Sequence, residues 1–457
     1  MHEVSSSIVL DRLDPSYYEE EYLEAEKSLD LIGKLTKIKN IEDLPGKAKS
    51  SAFYESIALD YKEAGVPFIR VADINEMTVS ESDLVYVSEE VFRTNRSIAH
   101  VNDADIVISK GGATTGRRIG VVPHWIKRAC ISRDVIGISL PDRTISDYVM
   151  VFLNTTFGQR QLLRGISQQA QPHLELEYVK RLRVPLLDAR FRSEISHKVR
   201  QSFRKREQAR DALAALEQEL LRVLGIKEMQ FPDSVHFEID NLRILESGRF
   251  DSEYFRPEYK AITDALRSSK YPLARLSKIM EISEKTIEPA DHPDTIYKYV
   301  ELADVSPSTN EIVDWSEVSG HEASPRARML LAKGDVLVPS LAGSLDNVAL
   351  VPAELDGAIG STGFFVVRSS QFHSEFLFAL FRSKLLKKQI EQRTSGTILA
   401  AIGRDCFEDI LVPLVPKPEQ QQVCEIVRSA FQLISEMKRL QLEAKTELHE
   451  RIETLLK

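Results

Sequence analysis

Three cysteines, Cys130, Cys406 and Cys424, are spread over 457 residues. They are too few for a disulfide framework and lack metal-ligand spacing, so a reducing, cytoplasmic setting is the expectation. No run of about 18 apolar residues occurs, which argues against a membrane-spanning helix. Met1–Ser7 has neither a basic stretch nor an apolar core, so no secretory leader is expected. Excess positive charge is also missing: 60 Lys and Arg face 69 Asp and Glu, for a net charge of −9. Taken alone, that balance weighs against a nucleic-acid protein, whose domains usually carry a basic excess.

Catalytic signatures are lacking too. Gly111 and Gly116 have the spacing of a phosphate-binding loop, but that loop needs Lys and then Ser or Thr, and Arg117-Arg118 stand there instead. No G-x-S-x-G elbow, H-E-x-x-H zinc motif or EF-hand loop occurs. Neither does a glycine-rich cofactor loop after a strand, nor the Asn-Pro-Pro-Tyr or Asp-Pro-Pro-Tyr tetrad of a DNA amino-methyltransferase. The ten histidines are dispersed, and His124 and His173 read as surface or packing residues rather than metal ligands. These absences favour recognition or scaffolding over catalysis.

What is present is an internal repeat. Arg12–Tyr18 lies over Arg249–Phe255, Phe68–Asp73 over Tyr299–Asp304, Ala104–Ser109 over Gly334–Pro339, and Leu182–Leu186 over Ile410–Leu414. The order is kept while the offset drifts from about 237 to about 228 residues, which is the period of a duplicated domain. Each half closes with a long charged stretch of helical period. The first runs from Ala189 to Leu224, with Ile195, Val199, Phe203, Leu213, Leu216 and Leu220 on its apolar stripe. The second runs from Pro418 to Leu456, with Val423, Val427, Ile434, Leu448 and Ile452. Spacings of three and four predict helices that bury one seam, and two such arms in one chain can pair antiparallel. Gly225 is a suitable C-cap for the first.

The remainder of each half reads as α+β with a mixed sheet. Strands are expected at 66–71, 105–109, 120–122 and 135–139, and at 297–300, 335–338, 348–351 and 364–367. Helical stretches are expected over Ser146–Arg164 and Ser374–Gln392. The segments are therefore 1–188, an arm at 189–228, then 229–416 and a second arm at 417–457, with a pseudo-twofold internal repeat.

Basic residues are unevenly placed. Lys110, Arg117, Arg118, Lys127, Arg128 and Arg133 crowd the stretch after Ile108, and Lys180, Arg181 and Arg183 form a second group. Arg382, Lys384, Lys387, Lys388, Arg393 and Arg404 follow suit in the other half, while acids gather in Glu19–Glu26 and Glu281–Glu317. Phosphate binding depends on the local field rather than on net charge. Polar loops accompany the cations: Ser167–His173 in the first half and Thr394–Thr397 at the matching place in the second. Gln can pair with adenine and Arg with guanine in the major groove.

These residues resemble the specificity subunit of type I restriction–modification systems over nearly the whole chain. The marks are Ala104–Gly112 with its echo Gly334–Gly343, the passage Gly165–Leu174 leading to Val184-Pro185-Leu186, and its counterpart Ser395–Ile398 leading to Val412–Gln420. Pro-x-x-Glu-Gln entering a helix (Pro416–Gln420) is most like the family, whereas Leu187–Phe191 departs from it. The resemblance implies two target-recognition domains, each reading one half of a split site in double-stranded DNA. It also implies an antiparallel coiled coil that sets the spacer, two docked methyltransferase subunits, motor-nuclease subunits and no catalysis in this chain. No cofactor is implied here; S-adenosylmethionine belongs to the partner methyltransferase. The candidate DNA contacts are Lys110, Thr114, Thr115, Arg117, Arg118, Lys127, Arg128, Gln168, Gln169, Gln171 and His173 in the first half. In the second they are Ser340, Ser344, Asn347, Arg393, Thr394, Ser395, Thr397 and Arg404. The alternatives are a specificity subunit of another methyltransferase-containing phage-defence system, and a coiled-coil scaffold that reads no DNA.

Overall fold

The computed structural model describes residues 15–54, 61–62, 64–80, 84–167, 172–227, 229, 237–239, 241–394 and 400–457. It divides into two compact units, Met1–Arg206 with Ser435–Lys457, and Glu207–Ile434. Both are α+β.

In the first unit, one sheet takes the order Val85–Val87, Val66–Ile69, Arg128–Ile131, His100–Asn102. A larger one runs Lys47–Ser50, Val135–Ser139, Ile106–Ser109, Ile119–Val121, Met77–Val79, Ile74–Asn75. Both are mixed: Val66–Ile69 is parallel to Arg128–Ile131, and Met77–Val79 to Ile119–Val121, while the other pairs are antiparallel. Ile106–Ser109 is buried at every position, which accounts for its unbroken apolar reading.

The second unit repeats this register. Val336–Pro339 is antiparallel to Phe364–Arg368 and Ala349–Leu350, as Ile106–Ser109 is to Val135–Ser139 and Ile119–Val121. Tyr299 pairs in parallel with Ile359 as Phe68 does with Cys130. An early strand pairs with the last one in each unit, Lys37–Asn40 with Arg183–Leu186 and Leu273–Arg275 with Leu411–Pro413.

Side-chain bonds carry the repeat further. Gln161 donates from Nε2 to the Arg183 carbonyl (3.1 Å) and accepts the Arg183 N–H at Oε1 (2.9 Å). Gln389, 228 positions on, does the same to Leu411 at 2.9 and 3.0 Å. Both clamp a helix to the last strand and satisfy polar backbone there. Arg164 Nε reaches the Tyr17 carbonyl and Gln392 Nε2 the Tyr254 carbonyl, each at 3.0 Å.

The stretches read as single helices are each two. Arg143–Asn154 and Thr156–Arg164 break at Thr155, and Ser374–Arg382 and Lys384–Arg393 break at Ser383. Both breaking residues are extended, and each hydroxyl donates three residues back, to the Phe152 and Leu380 carbonyls. Such hydroxyls compete with the helix for its own backbone groups.

The two long helices are Ala189–Leu224 and Lys417–Thr454. Within the first unit, Lys198 pairs with Glu447 (2.6 Å) and Glu443 (3.4 Å), and Lys205 with Glu436 (2.6 Å). One number rises as the other falls, so the helices run antiparallel. Exposed pairs of this kind contribute up to about 1 kcal/mol each. The apolar seam contributes more: Ile195, Val199 and Phe203 share one core with Ala444, Leu448 and Ile452, at about 1.5–3 kcal/mol per large side chain. In the second unit Leu213, Leu216 and Leu220 do so with Val423, Val427 and Ala430. Gly225 ends the first helix at φ 70°, with Ile226 N–H returning to the Leu221 carbonyl.

Candidate nucleic-acid interface

In the first unit the buried strand Ile106–Ser109 delivers the chain into the Lys110–Arg118 loop. Gly112 (φ 88°) and Gly116 (φ 69°) take left-handed conformations there. A Cβ on Gly111 would stand 2.9 Å from Asp134 Oδ1. The loop is closed by its own bonds: Gly116 N–H to the Ser109 carbonyl (2.8 Å), Arg117 N–H to the Thr114 carbonyl (2.9 Å) and Arg118 N–H to Ser109 Oγ (3.2 Å). It is also tied to the hairpin Ile166–Ser167/His173–Leu174. Leu174 N–H donates to the Lys110 carbonyl (2.9 Å), Gly111 bridges His173, and Thr115 Oγ1 lies 3.2 Å from the Pro172 carbonyl. Lys110, Thr114, Thr115, Arg117, Arg118 and His173 are thereby brought to one place. Gln168, Gln169 and Gln171 lie outside the described residues.

Exposure differs among them. Arg117 is exposed, Lys110, Thr114, Arg118 and His173 are half-buried, and Thr115 is 2% exposed. Among the described residues, no carboxylate is ion-paired to Lys110, Arg117 or Arg118, and Arg118 Nη1 lies 3.4 Å from the Ala72 carbonyl. His173 Nε2 stands 4.0 Å from Glu175 Oε1. The fold does not bring Lys127 and Arg128 to this loop. They sit at the start of Arg128–Ile131 in the other sheet, where Arg128 pairs with Glu89 and covers the Phe92 ring at 5.0 Å.

The second unit joins the corresponding segments in the same way. Ile402 N–H donates to the Ser340 carbonyl (2.9 Å), Ala342 N–H to the Ala400 carbonyl (2.9 Å), and Leu341 bridges Ala401. Ser340 Oγ donates to the Gly363 carbonyl (2.9 Å), and Ser344 ends the short turn Ala342–Ser344. Asn347 donates from Nδ2 to the Leu302 and Val305 carbonyls at 2.8 and 3.1 Å. Thr394 Oγ1 bonds the Glu391 carbonyl and Arg393 Nη1 the Gln389 carbonyl. Ser395 and Thr397 lie outside the described residues.

The two basic groups, alike in sequence, differ in the fold. Lys387 pairs with Asp346, Lys388 with Glu258 and Glu391, and Arg404 with Glu284 and Glu408. Arg382 turns inward to Asn310 Oδ1 (2.7 Å) and the Leu213 carbonyl (2.9 Å). Much of the second group is thus neutralised or spent on packing, a correction to its reading as a match for the first. Glu391 and Glu408 are local partners at helical spacing, whereas Asp346, Glu258 and Glu284 come from segments remote in sequence, which no local signal announces.

Among the described residues, no three His, Cys, Asp or Glu side chains gather as a metal site would require. No described helix is long and apolar enough to cross a membrane. Burial pushes the Cys130 thiol up to about 12.

No family model matches the sequence, and no curated protein matches it. Solved structures do. The S subunit of the type I restriction-modification system from M. genitalium is similar at 13% identity and a TM-score of 0.37, over 92% of this chain and 94% of that one. The HsdS subunit from Thermoanaerobacter tengcongensis is similar at 13% identity and 0.27, over 92% and 95%. A chain from a study of complex assembly and conformational transition in the type I R-M system is similar at 14% identity and 0.28, over 92% and 96%.

Proposed function

We propose that this chain is the DNA-specificity subunit of a type I restriction–modification complex. Each unit reads one half of a bipartite site in double-stranded DNA. The long helices set the spacer and dock two methyltransferase subunits, motor-nuclease subunits complete the assembly, and the chain itself performs no catalysis. S-adenosylmethionine serves the methyltransferase, and the complex works in the cytoplasm.

One observation carries this reading: a duplicated frame holds unlike side chains at matching places. The Lys110–Leu174 bridge and its counterpart Ser340–Ile402 join the same two segments in each unit. What those segments present differs, Gly-Gly-Ala-Thr-Thr-Gly-Arg-Arg in one and Leu-Ala-Gly-Ser-Leu-Asp-Asn in the other. Two readers of different sequences need a common scaffold with divergent loops, since phosphate contacts position a protein while base contacts specify the site.

Exchange of residues 1–185 for the corresponding segment of another such subunit tests the reading. The methylated motif is expected to change in one half only. A change in both halves, or in neither, would overturn it.

A further inference from the structure

We infer that Thr115 is a positioning residue that locks the Lys110–Arg118 loop to the Ile166–Leu174 hairpin, making one reading head of two loops in the first unit. The inference rests on the specificity reading above and adds to it which side chain holds the head together.

Both units join the two segments through backbone, Leu174 to Lys110 and Ile402 to Ser340. Among the described residues, only the first adds a side-chain hydrogen bond across the joint. Thr115 is a polar residue with almost no exposure, so its hydroxyl is committed to protein partners. Oγ1 lies 2.6 Å from the Gly112 carbonyl and 3.2 Å from the Pro172 carbonyl, and shares its proton between them. Gly112 belongs to the loop, and Pro172 directly precedes the strand His173–Leu174. Proline has no N–H, so its carbonyl is the one backbone group by which it can be held. In the second unit Ser340 Oγ turns to the Gly363 carbonyl instead, and among the described residues no side-chain bond joins 340–347 to 400–402.

Reading bases demands that side chains be held to about half an ångström, whereas a phosphate tolerates more. A looser joint should therefore cost selectivity before affinity. Thr115→Val keeps the shape and removes the hydroxyl, and Thr115→Ser restores it.

The test uses the full-length chain with the subunits that co-purify with it, a randomised duplex library, and sequencing of the bound fraction. For Thr115→Val, preference for the selected bases in one half is expected to fall on the order of fivefold, the equivalent of one buried hydrogen bond of about 1 kcal/mol. The other half should hold, the melting temperature should fall by no more than the few degrees that about 1 kcal/mol brings, and Thr115→Ser should select as the wild type does. Unchanged selection by Thr115→Val, while the wild type selects a bipartite site, overturns the role of Thr115 and leaves the specificity reading standing. Loss in both halves, or a drop in melting temperature beyond a few degrees, also overturns it by revealing a folding effect. If the wild type itself selects no sequence, the specificity reading falls and this inference with it.

Discussion

At the scale of single residues, the two units solve one problem differently. Each sets a carboxylate against an arginine of a long helix: Asp147 against Arg200 at 3.4 Å, and Glu375 against Arg428 at 2.7 Å, both 228 positions on. Asp147 is fully buried, takes a bond from Ser196 Oγ (2.6 Å) and leaves Oδ1 without a hydrogen bond. Burial pushes its carboxyl up to about 6, against the pull of Ser196, Arg143 and Arg200 and with some help from Asp103. Glu375 is less buried; desolvation is the largest influence and raises it, but the Arg428 bond, its own backbone N–H and the charges of Arg428 and His373 together outweigh that and hold it below the usual carboxylate range. The signs of their linkage to pH are opposite. Asp147 binds its proton more tightly folded than unfolded, so its contribution is complete below about 4 and is lost as pH rises through about 6. Relative to Asp147→Asn, which stays neutral, the wild type should lose up to about 3 kcal/mol between pH 4 and pH 7. Chemical denaturation of both at pH 4.5 and 7.5 checks this, and parallel curves would remove Asp147 as the cause.

At the scale of elements, what could be read from the sequence depended on distance along the chain. The long helices were legible because helical period is local, and their seams are buried as that period requires. The strands were legible from short apolar runs. The helix breaks at Thr155 and Ser383 were missed because both residues sit inside otherwise apolar, helical stretches; the recurring hydroxyl at the same place in both halves was the available signal. Gln161 and Gln389 carry no signal in the sequence, since their clamps reach strands 22 residues further on. At the candidate interface, the loop cations could be found by composition, but the remote ion pairs of the second group, to Asp346, Glu258 and Glu284, could not. Arg117 and Arg118, with Lys110, are loop cations without a carboxylate partner among the described residues, and phosphate binding releases about one counterion per contact. Their double substitution by Ala should make the slope of log affinity against log salt shallower by up to about 2. A titration on random duplex from 50 to 200 mM salt measures it, and an unchanged slope would take the loop off the list of phosphate contacts.

At the scale of the molecule, the repeat in sequence and the division in space do not coincide. Chain order assigns the second long helix to the second half. Its last part, Ser435–Lys457, belongs instead to the first unit, where Ala444, Leu448 and Ile452 lie in the core beside Ile106, Ile108 and Ile136. A truncation after Ile434 should therefore damage the half of the protein most remote in sequence. Amide exchange is expected to accelerate in the strands Ile106–Ser109 and Val135–Ser139, while Val336–Pro339 and Phe364–Arg368 keep their protection. Loss confined to the second unit would contradict the division.

The same interleaving has a consequence for synthesis. A ribosome releases chains from the N-terminus, and domains ordinarily close in that order. Here the second unit is one uninterrupted segment and has all its parts once Ile434 has emerged, whereas the first still waits for Ser435–Lys457. The part made first is the part finished last. Until then, the apolar faces that will receive Ala444, Leu448 and Ile452 stand open to whatever chaperone or neighbouring chain reaches them.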